Sequence, residues 1–189
     1  MNKFKLKRGF TLVEMLVTLS IIVIMSSLLI VYTRGGEKIG QLNRGVERLS
    51  FDVRRMASMS MQTKQVKDKV TGDMRNVCGW GIYFPNDGGN EYIVFSDYCL
   101  GNALDNTLQD TGDFIYQEEE KQEVIKLGRS VSIGDITMKN FVYVPPEPRL
   151  VIVDLSDNTG LNLGELTLSV GEVNKKTIQI TTSGNFLIK

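Results

Sequence analysis

Residues 10–32 read FTLVEMLVTLSIIVIMSSLLIVY, twenty-three residues with one charged side chain, Glu14. At about 1.5 Å of rise per residue, a helix of this length crosses a hydrocarbon core of roughly 30 Å, so the segment reads as a transmembrane helix over 10–33. Lys3, Lys5, Lys7 and Arg8 precede it, and no acid comes before Glu14. The positive-inside bias then places the start of the chain in the cytoplasm and everything after Arg34 outside. A cleaved secretory signal is the rival reading, but it has an apolar core of about 7–15 residues followed by a small-residue cleavage site. Here Gly9 lies before the apolar run, and Ser26-Ser27 imitates a late site only loosely. Glu14 is the anomaly, because a carboxylate near the bilayer centre costs about 2.5–3.5 kcal/mol, less near an end. Two readings follow: Glu14 snorkels back to the interface, or it has a partner.

Lys7-Arg8-Gly9-Phe10-Thr11-Leu12-Val13-Glu14-Met15-Leu16 resembles the N-terminal signature of type IV prepilins and type II secretion pseudopilins: a short basic leader, Gly at the cut, Phe first after it and Glu fifth. The resemblance implies that a membrane prepilin peptidase cuts between Gly9 and Phe10 on the cytoplasmic side and methylates the new amine of Phe10, leaving the apolar helix on the mature protein. It also gives Glu14 a partner, the N-terminal amine of a neighbouring subunit. A lone carboxylate and a lone ammonium each resist burial in lipid, and pairing compensates both.

Beyond the membrane segment, Ile39, Leu42, Val46, Leu49, Val53 and Met56 alternate spacings of three and four, which is one stripe of a helix. A stalk helix over 34–67 is expected, its stripe docked on a sheet of the same chain. Gly35-Gly36, Gly40 and Gly45 interrupt it and are expected to permit a bend or local melting, since each costs up to about 1 kcal/mol relative to Ala. Arg34, Lys38, Arg44, Arg48, Arg54, Arg55, Lys64 and Lys67 make its other faces basic, which suits a solvated face or subunit contacts.

The whole chain has 22 basic and 22 acidic residues and no His. The balance hides a division: residues 1–67 hold 12 basic and 4 acidic side chains, residues 68–189 hold 10 and 18, so the parts carry about +8 and −8. Loss of residues 1–9 removes four of the positive charges and leaves 18 basic against 22 acidic. An acidic head argues against direct DNA binding, which needs clustered Lys and Arg. The absence of His excludes Ser-His-Asp hydrolysis and HExxH zinc sites. No P-loop, GxSxG, CxxC or dinucleotide fingerprint occurs, so no enzyme activity, cofactor or metal is expected.

Residues 68–189 read as a β-rich head. Val77–Phe84 and Glu91–Cys99 flank the turn-forming Pro85-Asn86-Asp87-Gly88-Gly89-Asn90, a hairpin. Closure at Gly88-Gly89 pairs Trp80 with Asp97, Ile82 with Phe95, Phe84 with Ile93 and Cys78 with Cys99. Opposed Cα atoms at about 4.5–5.5 Å accept a disulfide, and an exported head suits one; two buried free thiols are the alternative. The stretch 101–121, with Asp105, Asp110, Asp113 and Glu118–Glu120, reads as solvated loop acids. Its spacing fits no EF-hand loop, although some pilin-like heads hold calcium on such acids. Further strands are expected at Val131–Met138, Phe141–Val144, Leu150–Leu155, Glu165–Val170, Thr177–Thr181 and Asn185–Ile188, the last three as a meander.

The expected protein is an α+β, pilin-like fold with a leader (1–9), a transmembrane helix (10–33), an amphipathic stalk helix (34–67) and an antiparallel β-rich head (68–189). It is expected to be a structural minor pseudopilin or minor pilin, anchored once in the cytoplasmic membrane. Its partners are the prepilin peptidase, other pilin or pseudopilin subunits, assembly-platform proteins and the lipid bilayer. Arg54-Arg55-Met56-Ala57-Ser58 and a strand with Trp80 are weakly similar to H-type minor pseudopilins. A competence pseudopilin for DNA uptake and a membrane-anchored binding module that does not polymerise are the alternatives.

Overall fold

The computed structural model describes residues 11–62, 65–69, 71–85, 89–99, 112–145, 149–156 and 158–189, without the side chains of 30–35. The chain divides into two units, Met1–Lys38 and Ile39–Lys189. Helix α1 is Leu12–Gln62. Its helical hydrogen bonding continues through Gly35, Gly36, Gly40 and Gly45, so no local melting occurs there. The expected stalk is too long by one turn: the helix ends at Gln62, and strand β1 (Gln65–Lys67) follows.

Within the second unit the helix is docked by the stripe read from sequence. Leu42, Val46, Leu49, Val53 and Met56 are all at most 3% exposed, whereas Ile39, placed on the same stripe, is 49% exposed. Gly45 lies on the docked side, where a Cβ would touch Val131 at 3.5 Å.

Two antiparallel sheets meet this helix. The first contains β2 (Met74–Tyr83), β3 (Glu91–Tyr98), β4 (Lys121–Lys126), β6 (Met138–Val144), β7 (Arg149–Asp154) and β8 (Gly160–Leu161), in the order β4-β3-β2-β6-β7-β8, with β1 also paired to β2. The second contains β5 (Ser132–Gly134), β9 (Leu163–Val170), β10 (Asn174–Thr181) and β11 (Phe186–Ile188), in the order β11-β10-β9-β5. The stretch Val131–Met138, expected to be one strand, is split: β5 joins β9, while Met138 opens β6 in the other sheet. Gly134 and Asp135, the latter at φ 49°, lie where the chain changes sheets. β4 begins at the last residue of the stretch read as loop and was not among the expected strands. Its sequence KQEVIK carries the charges that protect a sheet edge and mask the strand pattern. The three last strands form the expected meander.

One hydrophobic cluster joins all layers: the helix stripe, Trp80, Ile82, Tyr92 and Val94 of the first sheet, and Leu166, Leu168, Ile178 and Ile180 of the second. Asp52 lies fully buried within it. The Tyr92 hydroxyl donates to Asp52 Oδ2 at 2.6 Å and Arg48 Nε donates to the same oxygen at 3.0 Å. Arg55 pairs with Asp52 at 3.8 Å and donates to Glu123 of β4 at 3.0 Å. Helix, β3 and β4 are thereby set in one axial register, since sliding the helix by a turn strands a buried carboxylate. Burial and the Asp52 contact together push the Tyr92 hydroxyl well above its ordinary pKa.

Tyr92→Phe keeps the ring packing and removes one donor from a buried charge. It is expected to cost about 1–3 kcal/mol, a Tm lower by roughly 3–10 °C, in thermal melts of the detergent-solubilised chain.

Candidate processing and assembly site

The first described residue, Thr11, caps the helix. Its Oγ1 accepts the Glu14 backbone N–H at 3.2 Å and its carbonyl accepts the Met15 N–H at 3.2 Å. This is the N-cap arrangement that Thr favours, with an acid placed three residues on, in the positive end of the helix dipole. Glu14 is exposed in the first turn and forms no ion pair with any described residue. Gly9 and Phe10, the expected cleavage and methylation positions, lie outside the described residues, as do the leader cations.

Leu12–Leu29 is long and apolar enough to cross a membrane, and none of it is buried within the chain. Leu12, Ile22, Leu28 and Leu29 are between 58% and 79% exposed, and their apolar neighbours are similar. A soluble surface does not present an uninterrupted apolar sleeve of this kind, so lipid or neighbouring helices must cover it. The few polar side chains fit that environment by bonding backward: Thr18 donates to the Met15 carbonyl, Ser20 to Leu16 and Ser27 to Val23, at 2.7–2.9 Å. Glu14 has no such bond from its side chain to any described residue.

In the head, Cys78 and Cys99 are joined by a disulfide with Cα atoms 5.0 Å apart. The hairpin register expected around them is wrong by one residue. Trp80 pairs with Ser96, Ile82 with Val94 and Gly79 with Asp97, not Trp80 with Asp97. An odd number of residues separates the last pair, Tyr83 and Ile93, so the axis does not fall between Gly88 and Gly89. A bulge between Val77 and Gly79 then shifts the ladder again, with Cys78 as the extra residue. The slip and the bulge act in the same direction, so Cys99 lies opposite Asn76, to whose carbonyl its N–H donates at 3.0 Å, and it is the bulged Cys78 that reaches it across the ladder.

The slip also exchanges faces. Trp80 and Ile82 face the helix, while Gly79, Gly81, Phe95 and Asp97 face the opposite side. That second face is covered by residues 112–117. Tyr116 stacks on Tyr83 at 4.2 Å between ring centroids and meets Phe95 edge-on at 5.5 Å, while Asn140 Nδ2 donates to the Phe114 carbonyl at 2.7 Å. Gly112 lies so close to Asp97 that a Cβ would overlap the carboxyl group. Gly81 likewise leaves room for the Phe95 ring.

Two of the acids in this region are therefore not solvated. Asp97 is fully buried and Glu120 is 3% exposed. Glu120 accepts the Tyr98 N–H at 2.8 Å and the Gln117 N–H at 3.1 Å. Neither Asp97 oxygen completes a well-formed hydrogen bond with a described group, although the Phe114 backbone and Asp113 are near enough to act on its charge. Burial, reinforced by the charges of Glu120 and Asp113, pushes the Asp97 carboxyl up to about 8. Burial also raises Glu120 to about 7, against the pull of its two backbone donors. Among the described residues no group of three His, Cys, Asp or Glu side chains is arranged to hold a metal ion. Asp105 and Asp110 lie outside them. Sequence reasoning placed Glu120 among solvated loop acids and Asp97 opposite Trp80 in the hairpin, and it did not single out Asp52. Only the apolar context of Asp97, in VFSDYC, hints at its burial.

Residues 4–30 match the family described as a prokaryotic N-terminal methylation motif. No curated protein and no solved structure matches the chain. The motif supports a pilin-like, prepilin-type N-terminus on a membrane-anchored chain. Such a motif implies processing by a prepilin peptidase and assembly with other pilin subunits, and it is that of a structural subunit rather than an enzyme family.

The acid pair has a definite thermodynamic sign. Between about pH 4 and 8 native Asp97 holds a proton that the unfolded chain has released, so the head loses stability as pH rises through that window. Glu120 adds a slope of the same sign up to about pH 7. Asp97→Asn is expected to raise Tm progressively from pH 4 to pH 8 relative to the parent, with little difference at pH 4. A parallel pair of Tm–pH curves would contradict this.

Proposed function

We propose that the chain is a structural minor pseudopilin or minor pilin of a type II secretion or type IV pilus filament. One observation carries this reading. The methylation motif at residues 4–30 sits on a helix whose apolar sleeve, Leu12–Leu29, contains a single charge, Glu14, one turn from its start. Cleavage between Gly9 and Phe10 exposes a new amine four residues from that carboxylate. The amine is methylated and stays cationic.

In the proposed mechanism the basic leader holds the start of the chain in the cytoplasm, and the head stands outside, where Cys78 and Cys99 are oxidised. During assembly the helix leaves the bilayer laterally and packs among other subunit helices. The Phe10 ammonium of the incoming subunit and Glu14 of its neighbour then neutralise each other where water is absent. The pairing also fixes the axial step, since neither charge is stable opposite an apolar side chain. Thr11 keeps the first turn of the helix formed up to the new terminus. Thr18, Ser20 and Ser27, already bonded to their own helix, place no polar demand on lipid or neighbours.

N-terminal sequencing of membrane-extracted protein is expected to find N-methylated Phe10; an intact Met1 refutes the processing step. Glu14→Gln is expected to insert and be cleaved normally while its incorporation into filaments falls roughly a hundredfold or more, because breaking one side of a buried ion pair costs about 3–5 kcal/mol. Wild-type incorporation of this variant would refute the ion-pair step.

A further inference from the structure

The second sheet ends at β11, which has a partner on one side only among the described residues. Its ladder to β10 fixes which backbone groups are used. Thr177 and Lys189 exchange both of their hydrogen bonds and Thr181 N–H donates to Asn185, so the odd-numbered residues of β11 bond inward. The N–H and C=O of Phe186 and Ile188 therefore point away from the sheet. Such groups are obligatory hydrogen-bonding sites, and a strand edge that presents them in alternation is a template for another strand.

The edge is blunted only by its length of three residues. Its residues are Phe186, Leu187 and Ile188, with no proline, bulge or inward charge, and Leu187 and Ile188 are 53% and 43% exposed. Beside it runs a groove of about 520 Å³ between the β10–β11 turn and one face of α1, with Tyr143 also on its wall. The helix side is Ser50, Val53, Arg54, Ala57, Ser58 and Met61. From Ser50 to Met61 this face extends roughly 16 Å, the length of about five extended residues. Its surface is small or apolar apart from Arg54, which is exposed and forms no ion pair with any described residue.

We propose that the β11 edge and this groove accept an extended segment of another polypeptide, one that alternates apolar and acidic residues. The added strand bonds to the outward groups of Phe186 and Ile188, lays its apolar side chains against Phe186, Ala57 and Met61, and presents a carboxylate to Arg54. The backbone supplies affinity, while groove shape and the cation supply selectivity. Helix-mediated packing of the apolar sleeve is a separate contact, so this surface serves a partner whether or not the chain polymerises.

The test uses the full chain in detergent and a fluorescein-labelled decapeptide alternating valine with glutamate, followed by anisotropy. A lysine-for-glutamate version is the control. Ile188→Pro removes one outward donor and leaves the inward ladder intact, as edge positions allow; Ile188→Val keeps the donor. The acidic peptide is expected to bind and the basic one to bind roughly tenfold more weakly or not at all. Binding should weaken roughly tenfold in Ile188→Pro and in Arg54→Glu and stay within about twofold in Ile188→Val. Amide exchange at Phe186 and Ile188 should slow when the acidic peptide is added, a readout independent of how the proline variant folds. Equal binding to Ile188→Pro, indifference to peptide charge, unchanged exchange at both amides or no binding at all overturns the proposal. Self-association of the chain alone that Ile188→Pro abolishes also overturns it, in favour of a second copy at the edge. None of these readouts depends on cleavage at Gly9 or on filaments, so this proposal and the filament reading fail separately.

Discussion

The stripe Leu42, Val46, Leu49, Val53 and Met56 is the constraint on which the head depends. The two sheets share no strand, and the chain crosses from one to the other without a continuous ladder at residues 134–138. What unites them is one cluster into which the helix side chains insert together with residues of both sheets. Removing the stripe exposes the inner faces of both sheets at once. Asp52 adds direction to this contact. Apolar surfaces tolerate sliding, but a fully buried carboxylate that accepts from Tyr92 and Arg48 has one low-energy position. Hydrophobic area supplies the strength of the helix–sheet contact, and a single acid supplies its register.

The same helix satisfies two opposite requirements in sequence. Between Leu12 and Leu29 it is apolar apart from Glu14 and a few hydroxyls, of which Thr18, Ser20 and Ser27 bond to their own backbone. From Ile39 onward it is apolar on one face and cationic elsewhere. Both halves keep intact helical hydrogen bonding despite four glycines, because burial of the stripe outweighs the roughly 1 kcal/mol that each glycine costs.

Much of this was legible in the sequence, and the failures have specific causes. The apolar sleeve, the docked stripe, the terminal meander and the presence of a hairpin follow from periodicity, which reports burial on one face directly. The stalk boundary did not, because Gln65–Lys67 carries no apolar alternation and is a strand only through its pairing with β2. The register error around Trp80 has a similar origin: hydrophobic patterning shows that alternate residues are buried, but β2 is buried on both faces, so alternation carried no phase information. Glu120 was read as solvated, and the burial of Asp97 was not foreseen, because one-dimensional composition cannot show that residues 112–117 fold back over the sheet. Of the proposed assembly site, Glu14 was visible as a lone charge in an apolar run. The Thr11 cap beneath it and the open β11 edge emerge only from coordinates.

The double-sided burial of the first sheet has a calorimetric consequence. At neutral pH the unfolded chain carries Asp97 and Glu120 as carboxylates, whereas native Asp97 is largely protonated and native Glu120 partly so. Folding of the head therefore draws protons from the surrounding buffer, and the heat of the transition includes the ionisation heat of whatever supplies them. Enthalpies measured in phosphate and in an amine buffer differ by that amount even where Tm is the same. The difference, divided by the gap between the two ionisation heats, gives the net proton uptake on folding, to which Asp97 and Glu120 both contribute.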